Sequence, residues 1–320
     1  MNSRPPAEIS AENSPEGVAR RRARQGLTLG LLAYISWGSF PAFFKLLNDA
    51  TPLEVVSHRI FWSAAFLLLL VGLSHRLGPL WRVVRDRGTL LTLGGSTLLI
   101  AANWSVFILA VQRGQVLQSS LGYFMTPLIS VLLGFLFLRE KLTLWQRISV
   151  GLAALGVLNL ALQHGSIPWI ALVLATTFGL YGLLRKLARV DALLGLTIET
   201  LLLTPFALGY LIYLQFTEQG VFLAGSPDLN LLLPLAGVVT ALPLLGFIGA
   251  ARRLRLATIG FLQYITPSLH FLLAVGLYNE AFSRGHLISF LCIWAALAVY
   301  TADALWQGMG RGSDKDKQAA

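Results

Sequence analysis

The sequence predicts an all-α integral membrane protein, with ten transmembrane helices in a five-plus-five inverted-topology repeat. Three observations carry that expectation. Hydrophobic residues make up 55% of the 320-residue chain and charged residues 12%, with a mean hydropathy of +0.68, whereas a soluble domain carries about 25% charge. Apolar stretches of membrane-crossing length follow one another and leave no room for a sizeable soluble domain. Short motifs of one half also return in the other at a nearly constant spacing.

The first apolar stretch, 26–46, follows a polar segment ending in Arg20-Arg21-Arg22-Ala23-Arg24, which lacks the form of a signal peptide, so the stretch is expected to stay in the membrane. The second, 53–73, ends at the basic loop 74–88. The third and fourth, 89–111 and 116–138, are parted by a short segment containing Arg113. After the basic loop 139–147 come 148–163 and 167–184, both short, then 193–216, 231–250, 257–278 and 285–306. These runs are too long and continuous for membrane β-strands, so all are read as helices. Their connections are short, and consecutive helices are expected to be antiparallel neighbours.

Lys and Arg set the orientation, because cytoplasmic loops are enriched in them. Segments 1–25, 74–88, 139–147, 185–192, 251–256 and 307–320 hold 21 of the 25, whereas the opposite loops hold Arg113 and Arg284. Both termini are therefore expected in the cytoplasm. The net charge of +10 belongs to these loops and does not imply nucleic-acid binding. The tails, 1–25 and 307–320, are polar and expected to be disordered. A single cysteine, Cys292, excludes an intrachain disulfide and a cysteine metal cluster; no metal or cofactor is expected.

Thr126-Pro127 followed by Glu140-Lys141-Leu142-Thr143 returns as Thr266-Pro267 followed by Glu280-Ala281-Phe282-Ser283, each 140 residues on. At a spacing of 141, Trp37-Gly38, Phe40 and Lys45 meet Phe178-Gly179, Tyr181 and Lys186. The repeats are 26–163 and 167–306. Five helices per repeat is an odd number, so the second copy enters the membrane from the opposite side, and a site near the midplane with alternating access is expected.

Together these blocks resemble the drug/metabolite transporter superfamily and its EamA-type repeat. Trp37-Gly38-Ser39-Phe40-Pro41 with Lys45, Ser57-His58-Arg59, Ala102-Asn103-Trp104, Leu117 to Tyr123 and Gly260 to Tyr264 are similar to its RarD subgroup of bacterial permeases. The resemblance covers roughly residues 26–306 and implies a bacterial inner-membrane permease, with export as the direction. Arg284-Gly285-His286 departs from the usual apolar start of the last helix.

Ionisable groups inside a membrane are costly and are read first as functional. Glu199, a turn or two inside the seventh helix, is a candidate for proton coupling, or else for a static pair, for example with Arg59. His58, its equivalent at a spacing of 141, could relay protons or be structural. Arg59 could hold a carboxylate-bearing substrate or snorkel to the outer interface. Lys45 reads as an interface anchor. Glu140 and Glu280 read as structural, with carboxylates engaging the free amides of the helix that follows. Polar and aromatic stripes, Tyr34 and Trp37, Asn103 and Trp104, Ser119 and Tyr123, Gln263, Tyr264 and His270, face either neighbouring helices or a substrate pathway. Such a pathway suits a drug, an amino acid or an aromatic metabolite. Trp81, Trp145, Trp169 and Trp306 read as interface belt residues.

No His-Glu-x-x-His motif or phosphate loop is present, which argues against an enzyme. The expected partners are a small-molecule substrate, the lipid bilayer and protons. A lipid flippase or scramblase is the alternative that an inverted repeat would serve equally well.

Overall fold

The computed structural model describes residues 15–318, except 140, 165–166, 189, 252 and 255–261. Helices α1 (Pro15–Gly38) and α2 (Phe40–Lys45) are followed by α3 (Pro52–Leu73), α4 (Leu77–Arg85), α5 (Arg87–Gln112), α6 (Val116–Leu138) and α7 (Leu144–His164). The second half holds α8 (Trp169–Ala188), α9 (Ala192–Phe216), α10 (Pro227–Ala251), α11 (Ile265–Leu272), continued by a π-helical turn (Leu273–Leu277), and α12 (Arg284–Gln318). Among the described residues, eight helices are long and apolar enough to cross a membrane, and Trp169–Arg185 and Ile265–Leu277 are shorter apolar helices.

Helix starts follow local chemistry. Thr51 caps α3 by accepting from the Glu54 amide at 3.3 Å, Asp86 caps α5 at Gly88, and Asp191 caps α9 at Leu193 and Leu194. The single first helix expected from hydropathy is broken at Ser39, because Pro41 lies in the first turn of α2 and lacks the amide that a continuous helix would need. The segment 74–88, read as a loop, contains the amphipathic α4, with Leu80 buried and Trp81 exposed. Helical backbone also extends from Pro15 and to Gln318, into both segments expected to be disordered; the Ala- and Arg-rich stretch before 26 has good helix propensity.

Consecutive helices are not the main neighbours. Helix α3 packs on α9 and α10, α1 on α10 and α11, α5 on α8, α6 on α8 and α11, and α7 on α12. Short loops tie helix ends together, but small residues and polar side chains decide which faces meet. At Gly237 of α10, a Cβ would overlap the Trp62–Ser63 backbone, and the Ser63 hydroxyl donates to the Gly237 carbonyl at 3.0 Å. End contacts make α3 and α9 antiparallel: Glu54 at the start of α3 accepts from the amides of Val221 and Phe222 beyond the end of α9, while Arg76 beyond the end of α3 meets the cap Asp191 at 3.0 Å. Likewise Thr143, just before α7, bonds Asp303 near the end of the described side chains of α12, and Asn159 late in α7 bonds Gly285.

Candidate functional site

Helix α3 carries Arg59 eight residues beyond its cap, about 12 Å along the axis. The residue is buried, 3% exposed. Its Cζ lies 4.4 Å from the ring centroid of Trp104, 5.3 Å from that of Phe44 and 5.7 Å from that of Phe40. The break at Ser39 gives Phe40 and Phe44 a short helix of their own, which carries both rings to the guanidinium. Nε and Nη1 have no hydrogen-bond partner, and no carboxylate pairs with Arg59 among the described residues. Cation–π contact contributes about 2 kcal/mol for a desolvated pair, whereas withdrawing a charge from water costs several kcal/mol even after relaxation. The rings supply no hydrogen-bond acceptor to Nε and Nη1.

Beside Arg59 is a knot of polar and aromatic groups from five helices. The Tyr123 hydroxyl donates to Asn103 Oδ1 at 3.2 Å, and Asn103 Nδ2 donates to the Leu174 carbonyl at 3.0 Å and Thr177 Oγ1 at 2.9 Å. His270 Nε2 lies 3.1 Å from the Trp37 carbonyl, and its ring stacks on Phe107 with centroids 5.5 Å apart and lies 5.7 Å from that of Tyr123. Tyr123 is near enough to Arg59 to interact with it electrostatically. Thus Arg59, Asn103, Trp104, Tyr123 and His270 are brought together, with Trp37 contributing its carbonyl while its ring packs on Tyr34 at a centroid distance of 5.4 Å.

The remaining pathway candidates lie elsewhere. Tyr34 packs in a separate cluster with Leu262, Trp37 and Phe247. Ser119 is buried and donates back to the Val116 carbonyl of its own helix. Gln263, in helical backbone, and Tyr264, in the turn leading to α11, are half-buried. His58 is separate from Glu199: its Nδ1 accepts from Trp62 Nε1 at 3.3 Å, and its ring lies against Phe222, with centroids 4.6 Å apart.

Glu199 sits eight residues beyond the cap Asp191, the position that Arg59 holds after Thr51. Its expected partner Arg59 is not the one it has. Arg185 Nε lies 3.7 Å away, the Ser96 hydroxyl contacts Oε1 at 2.6 Å, and the Tyr181 hydroxyl donates to Oε2 at 3.2 Å. Arg185 reads in sequence as a cytoplasmic loop charge, yet it lies back along α9, where a Cβ on Gly195 would overlap its guanidinium. That glycine, four residues before a buried carboxylate, is the signal that could have found the pair. Ser96 had no such signal, since serines are common in membrane helices.

Glu280 corrects a second expectation. Ser283 caps α12, but the Glu280 carboxylate accepts from the amides of Val116 and Leu117 at 2.7 and 2.8 Å, the start of α6 in the other half. Those amides are left free by helix geometry, and Gln115 provides no side-chain cap. Its repeat partner Glu140 lies outside the described residues. Lys45 does not merely anchor: its Nζ lies 4.0 Å from the Tyr278 ring centroid, close to Glu280. Pro127 lies inside α6, where Thr126 Oγ1 donates to the Gly122 carbonyl, and Pro267 lies in α11, where Thr266 Oγ1 instead reaches the Tyr34 carbonyl at 2.9 Å.

Membrane-crossing helices closed around buried ionisable groups and amide-bonded aromatics define a multi-pass membrane protein with a polar interior. A model of the EamA-like transporter family matches residues 24–162. An uncharacterized transporter of Vibrio cholerae is 46% identical over 286 residues, 89% of this chain and 95% of its own, and the RarD protein of Salmonella typhi is 43% identical over 286 residues, 89% and 97%. A solved crystal structure with 19% identity and a TM-score of 0.55, covering 88% of this chain and 98% of its own, shares the fold. The chain belongs to the EamA family of the drug/metabolite transporter superfamily as a RarD-like permease, a membrane transporter of that type.

Proposed function

We propose that this chain is a bacterial inner-membrane secondary transporter that exports a small organic solute by alternating access between two inverted five-helix repeats. Both termini are in the cytoplasm, the two shorter apolar helices also span, and protons are coupled through Glu199. The observation that carries this reading is the exchange symmetry of the packing. Counting α1 with α2 as the first span and excluding α4, exchange of the halves turns α1–α10 into α8–α5, α1–α11 into α8–α6 and α3–α10 into α9–α5, while α3–α9, α6–α11 and α7–α12 map onto themselves. Two interchangeable halves can hold outward and inward openings at similar energy.

Ser96 supports the proton assignment. Its single hydroxyl proton faces two acceptors, Glu199 Oε1 at 2.6 Å and the Leu93 carbonyl at 2.9 Å. An ionised Glu199 takes that proton in a hydrogen bond; a protonated Glu199 donates its own to Ser96, which turns to Leu93. Both charge states are accommodated without moving a helix.

Proteoliposomes containing a pH dye test the reading against amino acids, aromatic metabolites and chloramphenicol. Saturable, solute-dependent proton flux that disappears in Glu199→Gln is the expected result. Solute transport with proton flux retained in Glu199→Gln returns that residue to a structural role, and flux that never saturates identifies a channel.

A further inference from the structure

We infer that Arg59 is the anion-binding group of the transport site and that the solute is a monocarboxylate with an apolar body. This rests on the transporter reading above and names its substrate class. Nε and Nη1 together carry three N–H donors that nothing in the protein receives, on a side chain 3% exposed.

Among the described residues the buried acids are placed away from Arg59: Glu54 Oε1 accepts from the Val221 and Phe222 amides while its Oε2 has no partner, Glu199 is held by Ser96, Tyr181 and Arg185, and Glu280 holds the start of α6. A guanidinium with unused donors is matched in geometry by a carboxylate. One fixed positive charge neutralises one negative charge, so a dicarboxylate or a phosphate dianion would carry uncompensated charge into apolar surroundings. Trp104, Phe40 and Phe44 about the guanidinium, with Tyr123 and Phe107 beyond it, give the rest of the solute an aromatic wall.

Melting temperature of the full chain in phosphatidylcholine nanodiscs tests this by binding alone. The probes are benzoate and phenylacetate, their neutral amides, inorganic phosphate, and phosphatidylglycerol added to the disc. Benzoate or phenylacetate should raise the melting temperature of the wild type, whereas the amides, phosphate and phosphatidylglycerol should not. Arg59→Met should melt higher than the wild type without ligand, since it removes an uncompensated buried charge, and should not respond to carboxylates. Arg59→Lys keeps the charge without the fork, so its half-saturating concentration should rise about tenfold or more.

The inference is overturned if Arg59→Met melts lower, fails to fold or still responds to benzoate, if the amides act as well as the acids, or if phosphatidylglycerol produces the shift and no carboxylate competes with it. Each of those results leaves alternating access intact. Conversely, a wild type that binds benzoate but shows no counterflow of it or any other solute overturns the transporter reading and leaves the anion site standing.

Discussion

Replacing Glu280 with Gln should loosen the contact between the two halves on one side of the membrane. The carboxylate accepts two short amide hydrogen bonds, from Val116 at 2.7 Å and Leu117 at 2.8 Å. Bonds to a charged acceptor contribute about 1.5–3 kcal/mol each. Glutamine keeps one oxygen and turns an NH2 toward the second amide, so at least one bond is lost. A change of about 1.5–3 kcal/mol shifts the balance between joined and parted ends by roughly 10- to 150-fold. Ser120 reports the parting, because it is fully buried and its hydroxyl donates across the same seam to the Pro267 carbonyl at 2.8 Å. Cys292 is the chain's single cysteine, so Cys292→Ser with Ser120→Cys gives one reporter thiol. Labelling by a membrane-impermeant maleimide in right-side-out vesicles should accelerate at least tenfold in Glu280→Gln, in line with a faster-populated open state. A folded Glu280→Gln protein that labels at the unaltered rate would refute the argument that this carboxylate holds the halves together.

Three further outcomes are expected. Gly195→Val should push Arg185 from α9 and impair proton coupling as Glu199→Gln does, while leaving the response to carboxylates at Arg59 unchanged; coupling in Gly195→Val equal to that of the wild type would show the ion pair to be idle. Burial opposes charge on Asp191, but Arg76 and the amides of Leu194 and Leu193 outweigh it and hold the carboxyl below its ordinary 3.8. A depressed folded value means that the stabilisation is present above the ordinary value and is lost as pH falls through the lower one, so the wild-type melting temperature should drop across that acidic window more than that of Asp191→Asn. A topology reporter fused after Phe222 should read as external, and a cytoplasmic signal would overturn the ten-span arrangement.

Hydropathy made the helices legible because lipid imposes length and apolarity on every span. Partners were harder to read. Phe40 and Phe44 are ordinary apolar residues in sequence, and only the break before Pro41 turns them onto Arg59. Arg185 belongs by position to a basic loop, although its side chain lies beside Glu199. For Glu280 the chemistry of amide capping was readable but the recipient was not, because the nearest helix in sequence is already capped by Ser283. Asn103, Tyr123 and His270 stood out because amide, phenol and imidazole groups are expensive to leave against lipid, so their convergence could be anticipated without knowing the partners.

The matching positions of Arg59 and Glu199, eighth after the caps of two antiparallel helices, have an electrical consequence. Glu199 is balanced by Arg185, whereas among the described residues no carboxylate pairs with Arg59. An elementary charge crossing the whole potential exchanges about 2.3 kcal/mol per 100 mV, and a charge carried part of the way exchanges a proportional share. With a monocarboxylate bound, the site moves as a neutral pair and does no such work. The empty site moves as a cation. For the proposed exporter, an inside-negative voltage would draw the vacant site toward the cytoplasm and leave the loaded outward step almost insensitive to voltage.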